Sequence, residues 1–177
     1  MVAMDSSHKL LQRAPGALSE SEIQDIIALI RAGGEVANTI LEQNVKNAES
    51  LLTAHQGDCL VAVGALKKPA STYREGIANK SGVTLDLNSF QFELGYIFVL
   101  PSARGRGLAT KLTQLAMKER DHVGIFATTR VSNDWMGHIL RAAGFEARGQ
   151  PYASGRGKYK LQLFLRPACT APEAGAR

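Results

Sequence analysis

The alternation of apolar and polar positions divides the chain into an ordered run of strands and helices. An opening apolar stretch, "HKLLQRA" at 8–14, reads as a short strand. Ser19 and Glu22 stand at capping-box spacing, and Ile23, Ile26, Ile27 and Ile30 recur at the interval of one helix face. Gly33-Gly34 ends that helix, and Val36, Ile40, Leu41, Val45 and Ala48 carry a second helical period directly after it. "SLLTAHQGDCLVAVGALK" holds two β-rich runs about Gly57-Asp58, which predicts a hairpin whose second strand stops at Pro69. Residues 67–88 interrupt the pattern as an insertion, with a short helix predicted around Tyr73–Lys80 and ended by Gly82.

The second half repeats strand and helix in alternation. "FQFELGYIFVL" is the strongest strand and stops at Pro101; Leu108, Leu112, Leu115 and Ala116 then give a helix an inward face. "VGIFATTR" is a buried strand by its apolar run, and "SNDWMGHILRAAGF" is a helix opened by Ser132 or Asn133 and closed by Gly144. "KYKLQLFLR" alternates Leu161, Leu163 and Leu165 on one face of a last strand, while "GQPYASG" and "SGRGK" before it read as loop and hairpin turn. Strands that precede helices in this way predict an α/β fold with a mixed sheet and helices on both faces. One domain is expected over residues 1–177, with an ordered core at about 8–166 and a tail at 170–177.

Composition changes little in that picture. At 177 residues, 45% hydrophobic and 21% charged, the chain can bury an ordinary core without a disulfide or metal staple. Cys59 and Cys169 lack metal-ligand spacing and are expected as free thiols, Cys59 as a small core residue. No metal is expected. Trp135 and Met136 read as core or pocket wall. The formal charge of +5 favours an anionic ligand, but lysine and arginine are scattered, so a nucleic-acid platform is weakly signalled. No apolar leader or membrane-length stretch stands out, and a cytoplasmic setting is the default expectation.

The stretch "PSARGRGLATKL" is where chemistry enters. A strand, a glycine-rich turn and a helix leave backbone N–H groups unpaired at a positive helix end. Gly105 and Gly107 remove side chains there, and Arg104 and Arg106 add charge, which describes a phosphate or pyrophosphate cradle. It is no Walker loop, because Lys111 is misplaced, and no dinucleotide fingerprint, because Thr110 stands at the third glycine position.

The fuller pattern, Arg104-x-x-Gly107-x-Ala109 after "FVLP", resembles the pyrophosphate loop of the GNAT superfamily of N-acetyltransferases. "ELGYIFV" resembles that family's fourth strand, "VGIFATTR" its fifth, and Asn133 with Gly144-Phe145 its "N…GF" helix. The resemblance covers roughly residues 8–166 and implies a central, mostly antiparallel sheet splayed between the fourth and fifth strands. It also implies acetyl-CoA as co-substrate. Phe98, Val99, Arg104, Gly105, Arg106, Gly107, Leu108, Ala109 and Thr110 are then the expected contacts, the loop binding pyrophosphate through its N–H groups. The N–H of Val99 would serve the oxyanion, and Asn133, otherwise a plain helix cap, would reach the pantetheine arm.

Direct transfer needs a neutral amine, and Glu93, six residues before Val99, matches family members that place a water-assisted base there. The competing reading of Glu93 is an exposed, idle charge at a strand entrance. The family tyrosine that donates a proton to the leaving thiolate falls at Leu140, a departure; His138 points elsewhere, and Tyr152 would have to reach in from another element. The expected activity is N-acetyl transfer to a small-molecule or peptide amine, with the insertion at 67–88 as either the acceptor-specific element or a solvated loop. Family members are often dimers, which makes a homodimer the assembly the resemblance implies. Two alternatives remain open: a non-catalytic acyl-CoA-binding sensor or scaffold, suggested by Leu140, and an RNA-directed (aminoacyl-tRNA) acetyltransferase, suggested by charge.

Overall fold

The computed structural model of the protein describes residues 7–34 and 40–169. The chain packs as two compact units: one from the chain up to Lys68 together with Leu94–Ala116, the other from Pro69–Glu93 and the chain from Met117 onward.

The first unit contains β1 (Lys9–Arg13), α1 (Glu20–Ala32), α2 (Leu41–Lys46), β2 (Ser50–Gln56), β3 (Cys59–Lys67) and most of β4 (Phe92–Val99). All of α4 (Leu108–Met117) except its last residue also belongs to it. Its strands lie in the order β1-β2-β3-β4, with β1/β2 and β2/β3 antiparallel. α1 forms because Ser19 accepts from the Glu22 N–H while the Glu22 carboxylate accepts from the Ser19 N–H, a complete capping box. That helix buries Ile23, Ile26, Ile27 and Ile30 against Leu51, Val63 and Ala65. Each such side chain contributes about 1.5–3 kcal/mol when fully removed from water.

The second unit contains α3 (Ser71–Ser81), β5 (Ile125–Arg130), α5 (Asp134–Ala142), β6 (Glu146–Ala153) and β7 (Lys160–Arg166). Its strands run in the order β5-β7-β6, each pair antiparallel. Leu163, Leu165 and Phe126 pack with Ile77, Leu85 and Tyr152 in a second apolar cluster. The insertion helix is real and ends as expected: Gly82 takes φ 72° and its N–H bonds the Ala78 carbonyl.

Four expectations are corrected. Ile40 is 53% exposed, because it precedes the first turn of α2 rather than lying on its Leu41–Val45 stripe; Val36 falls outside the described residues. Cys59 is exposed, since it opens β3 at the solvent end of the hairpin. Trp135 is 74% exposed on the first turn of α5, ahead of the stretch where burial begins at Gly137. The "GQPYASG" segment is no loop but the body of β6. β6 is an edge strand paired to β7, so Pro151 breaks no ladder on its free side, and a register shift between Arg148 and Tyr152 accommodates Gly149 at φ 68°.

Candidate active site

In the first unit, β4 is bent by Tyr96, which adopts φ 58°, a left-handed conformation that costs a non-glycine residue about 1–2 kcal/mol. The ring is held from two sides, by the Lys67 ammonium 4.7 Å from its centroid and by the Asn44 amide donating to its hydroxyl at 3.4 Å. Beyond the bend the strand ends at Phe98 and Val99. The Leu100 N–H bonds the Val61 carbonyl at 2.9 Å, and Pro101–Ala103 make one 3-10 turn. Arg104 folds back so that its Nε donates to the Val99 carbonyl at 3.1 Å and its guanidinium stacks 5.9 Å from the Phe98 centroid. Arg106 donates to the Gln56 side chain at 3.3 Å.

Gly105 and Gly107 both take left-handed backbone, φ 76° and 70°, and a Cβ built on either meets nothing within 4 Å. Glycine is therefore required there by conformation, and the space above the loop is open. The Gly107 carbonyl accepts from the Lys111 N–H at 3.0 Å and so opens α4. Leu108 is 2% exposed and anchors the helix, leaving backbone N–H groups of Leu108, Ala109 and Thr110 without acceptors inside the helix. Open glycine backbone, a helix start and two arginines fit a pyrophosphate.

In the second unit, Glu93 is 3% exposed, which overturns the reading of an idle surface charge. The Tyr73 hydroxyl donates to its Oε1 at 3.1 Å. Although 40% of the surface of Tyr73 reaches solvent, its hydroxyl end is enclosed, and burial first, then the Glu93 carboxylate, holds the phenol well above its ordinary pKa. The charge of the same carboxylate also acts on Tyr152 of β6, whose phenol is pushed up to about 12 by burial first and then by Glu93. Arg74 is buried, donates to the Phe90 and Gln91 carbonyls, and places its guanidinium 5.4 Å from the Phe126 centroid. Burial pulls its pKa down, while Glu93 and Asp86 act in the opposite direction.

Asn133 caps α5, its Oδ1 accepting from the Met136 N–H at 3.1 Å. Leu140 is fully buried, and His138 on the same helix is exposed. Glu93 and Tyr152 are thus brought together, while His138 is not. Tyr73 is the residue the sequence hid: twenty positions separate it from Glu93, and only the path of α3 joins them. Among the described residues, no group of three or more His, Cys, Asp or Glu could hold a metal ion, and no helix is long and apolar enough to cross a membrane.

The model of the Acetyltransferase (GNAT) family matches residues 23–145, and the chain belongs to that family of acyltransferases. Solved structures agree in fold. An acyl-CoA N-acyltransferase from Pseudomonas aeruginosa superposes with a TM-score of 0.65 at 15% identity, over 90% of this chain and 99% of that one. The ribosomal-protein-S18-alanine N-acetyltransferase from Escherichia coli gives 0.61 at 13% identity, over 97% and 100%. NAA60 of Arabidopsis thaliana in complex with acetyl-CoA gives 0.63 at 12% identity, over 89% and 98%. No curated protein matches the sequence.

Proposed function

We propose that this acyltransferase moves an acetyl group from acetyl-CoA to the amine of a small molecule or peptide by direct attack. The observation that carries the reading is the pair of left-handed glycines at the start of α4, with open space where side chains would stand. Family membership and a neighbour solved with acetyl-CoA support the same co-substrate.

Backbone N–H groups of residues 105–109 and the Thr110 hydroxyl hold the pyrophosphate, with Arg104 and Arg106 adding charge. Phe98 and the Asn133 amide line the pantetheine arm. Bound acetyl-CoA supplies an activated acyl carbon. Val99 offers its N–H to the carbonyl oxygen, where negative charge gathers. Glu93 accepts the proton of the incoming ammonium through water, leaving the amine its lone pair. The acceptor site draws on the insertion around α3, and the working assembly is a monomer or homodimer in the cytoplasm.

A second reading, an acyl-CoA-binding sensor or scaffold, is favoured by one observation: the position of the family's proton donor is Leu140, sealed in the core. The leaving thiol has an ordinary pKa of about 8.5, so catalysis survives that loss at a lower rate.

Calorimetric titration with acetyl-CoA at low and moderate salt tests the cradle, and thiol release with a panel of amino acids, polyamines and peptides tests transfer. Micromolar, stoichiometric binding with amine-dependent release is the expected result. Binding without release would select the sensor; absence of binding would remove both. Gly107→Ala is expected to weaken acetyl-CoA about tenfold, the loss of roughly one charge-assisted hydrogen bond.

A further inference from the structure

The insertion helix grips the entrance of β4 with two consecutive residues. Arg74 donates to the carbonyls of Phe90 and Gln91, the latter at 2.6 Å, so its guanidinium clamps backbone immediately before the strand. The Gln91 N–H is fixed in turn to the Gly124 carbonyl at 3.1 Å. Tyr73, one residue earlier on α3, reaches the Glu93 carboxylate itself at 3.1 Å. The Thr128 side chain hydrogen-bonds the same phenol from β5. A hydroxyl from Thr128 that donates to the phenol oxygen leaves the Tyr73 proton directed at Glu93.

We propose that Tyr73 is a positioning residue for Glu93, its hydroxyl holding the carboxylate in one orientation. The inference rests on the reading of Glu93 as the base. Within this unit the groups facing Glu93 are Tyr73 and Arg74 from α3 and Tyr152 from β6, with Asp86 acting on Arg74. The two terminal nitrogens of Arg74 are turned to the backbone carbonyls of Phe90 and Gln91, while the Tyr73 hydroxyl lies directly on Oε1 and orients that oxygen. The insertion is thereby part of the base, not an appendage beside it.

The test uses the full chain with an amine identified by thiol release. Tyr73→Phe keeps the ring and removes the donor. It is expected to lower kcat about 10–100-fold, as for a lost hydrogen bond to a charged group, with acetyl-CoA affinity unchanged. The loss should fall on kcat, with the KM of the amine unchanged. In a Glu93→Gln background, Tyr73→Phe should cost little more, because the partner it serves is gone. Replacing Tyr73 with 3,5-difluorotyrosine, a donor of nearly the same shape, should keep kcat within a few-fold of wild type and covers the case in which Tyr73→Phe unfolds.

A wild-type kcat in Tyr73→Phe, with Glu93→Gln inactive, would overturn the role of Tyr73 and leave Glu93 as the base. Equal losses on Tyr73→Phe in both backgrounds would do the same. A wild-type rate in Glu93→Gln would remove the base reading itself and this inference with it.

Discussion

Leu140 and Tyr152 show how burial decides what a residue can do. At Leu140 no surface reaches solvent, so Leu140→Tyr, which restores the family's residue type, overfills a packed core. Overpacking costs about 1–3 kcal/mol, and we expect that loss in urea unfolding with no gain in rate of thiol release. Tyr152 is 8% exposed, and its folded phenol titrates near 12. Above pH 10 the unfolded phenol gives up its proton while the folded one keeps it, so its contribution is complete below 10 and is lost as pH rises toward 12. Tyr73 shifts in the same direction. Stability should therefore fall between pH 10 and 12, and ultraviolet titration should show tyrosines ionising late; Tyr152→Phe should flatten part of that fall.

At the scale of elements, helix α3 hangs on one buried guanidinium. Arg74→Met keeps apolar volume but strands the Phe90 and Gln91 carbonyls, at a cost of about 2–4 kcal/mol. Hydrogen exchange over residues 71–81 should accelerate in that variant, and the activity loss of Tyr73→Phe should accompany it. β6 marks the limit of local reading. α1, the β2–β3 hairpin and α5 were legible because period, cap and turn residue agree in each: Ser19 with Glu22, Gly57 at φ 59°, Asn133 on the Met136 N–H. β6 was not, since Gly149 and Pro151 are loop residues everywhere except at a bulged edge.

For the whole molecule, one boundary of the two units lies in the connection between β3 and α3, at Lys68 and Pro69, but the others do not fall in connections. One of these, between Glu93 and Leu94, falls inside β4, and another, between Ala116 and Met117, falls inside α4. Neither unit can unfold alone without breaking a continuous strand and a continuous helix, so one cooperative transition is expected. Calorimetry should give equal calorimetric and van't Hoff enthalpies; two resolved transitions would mean the units are independent domains.

Sequence alone determined the order of the elements other than β6, the glycine loop and the family, because each depends on neighbours within a few residues: apolar period, caps, and glycines where only glycine adopts the backbone. It also singled out Glu93. It could not decide that Glu93 is buried, that Leu140 is sealed, or that Tyr73 and Tyr152 converge on one carboxylate. Those facts join residues about 20 to 60 positions apart, and such contacts are set by how strands and helices pack after they form, not by the spacing along the chain.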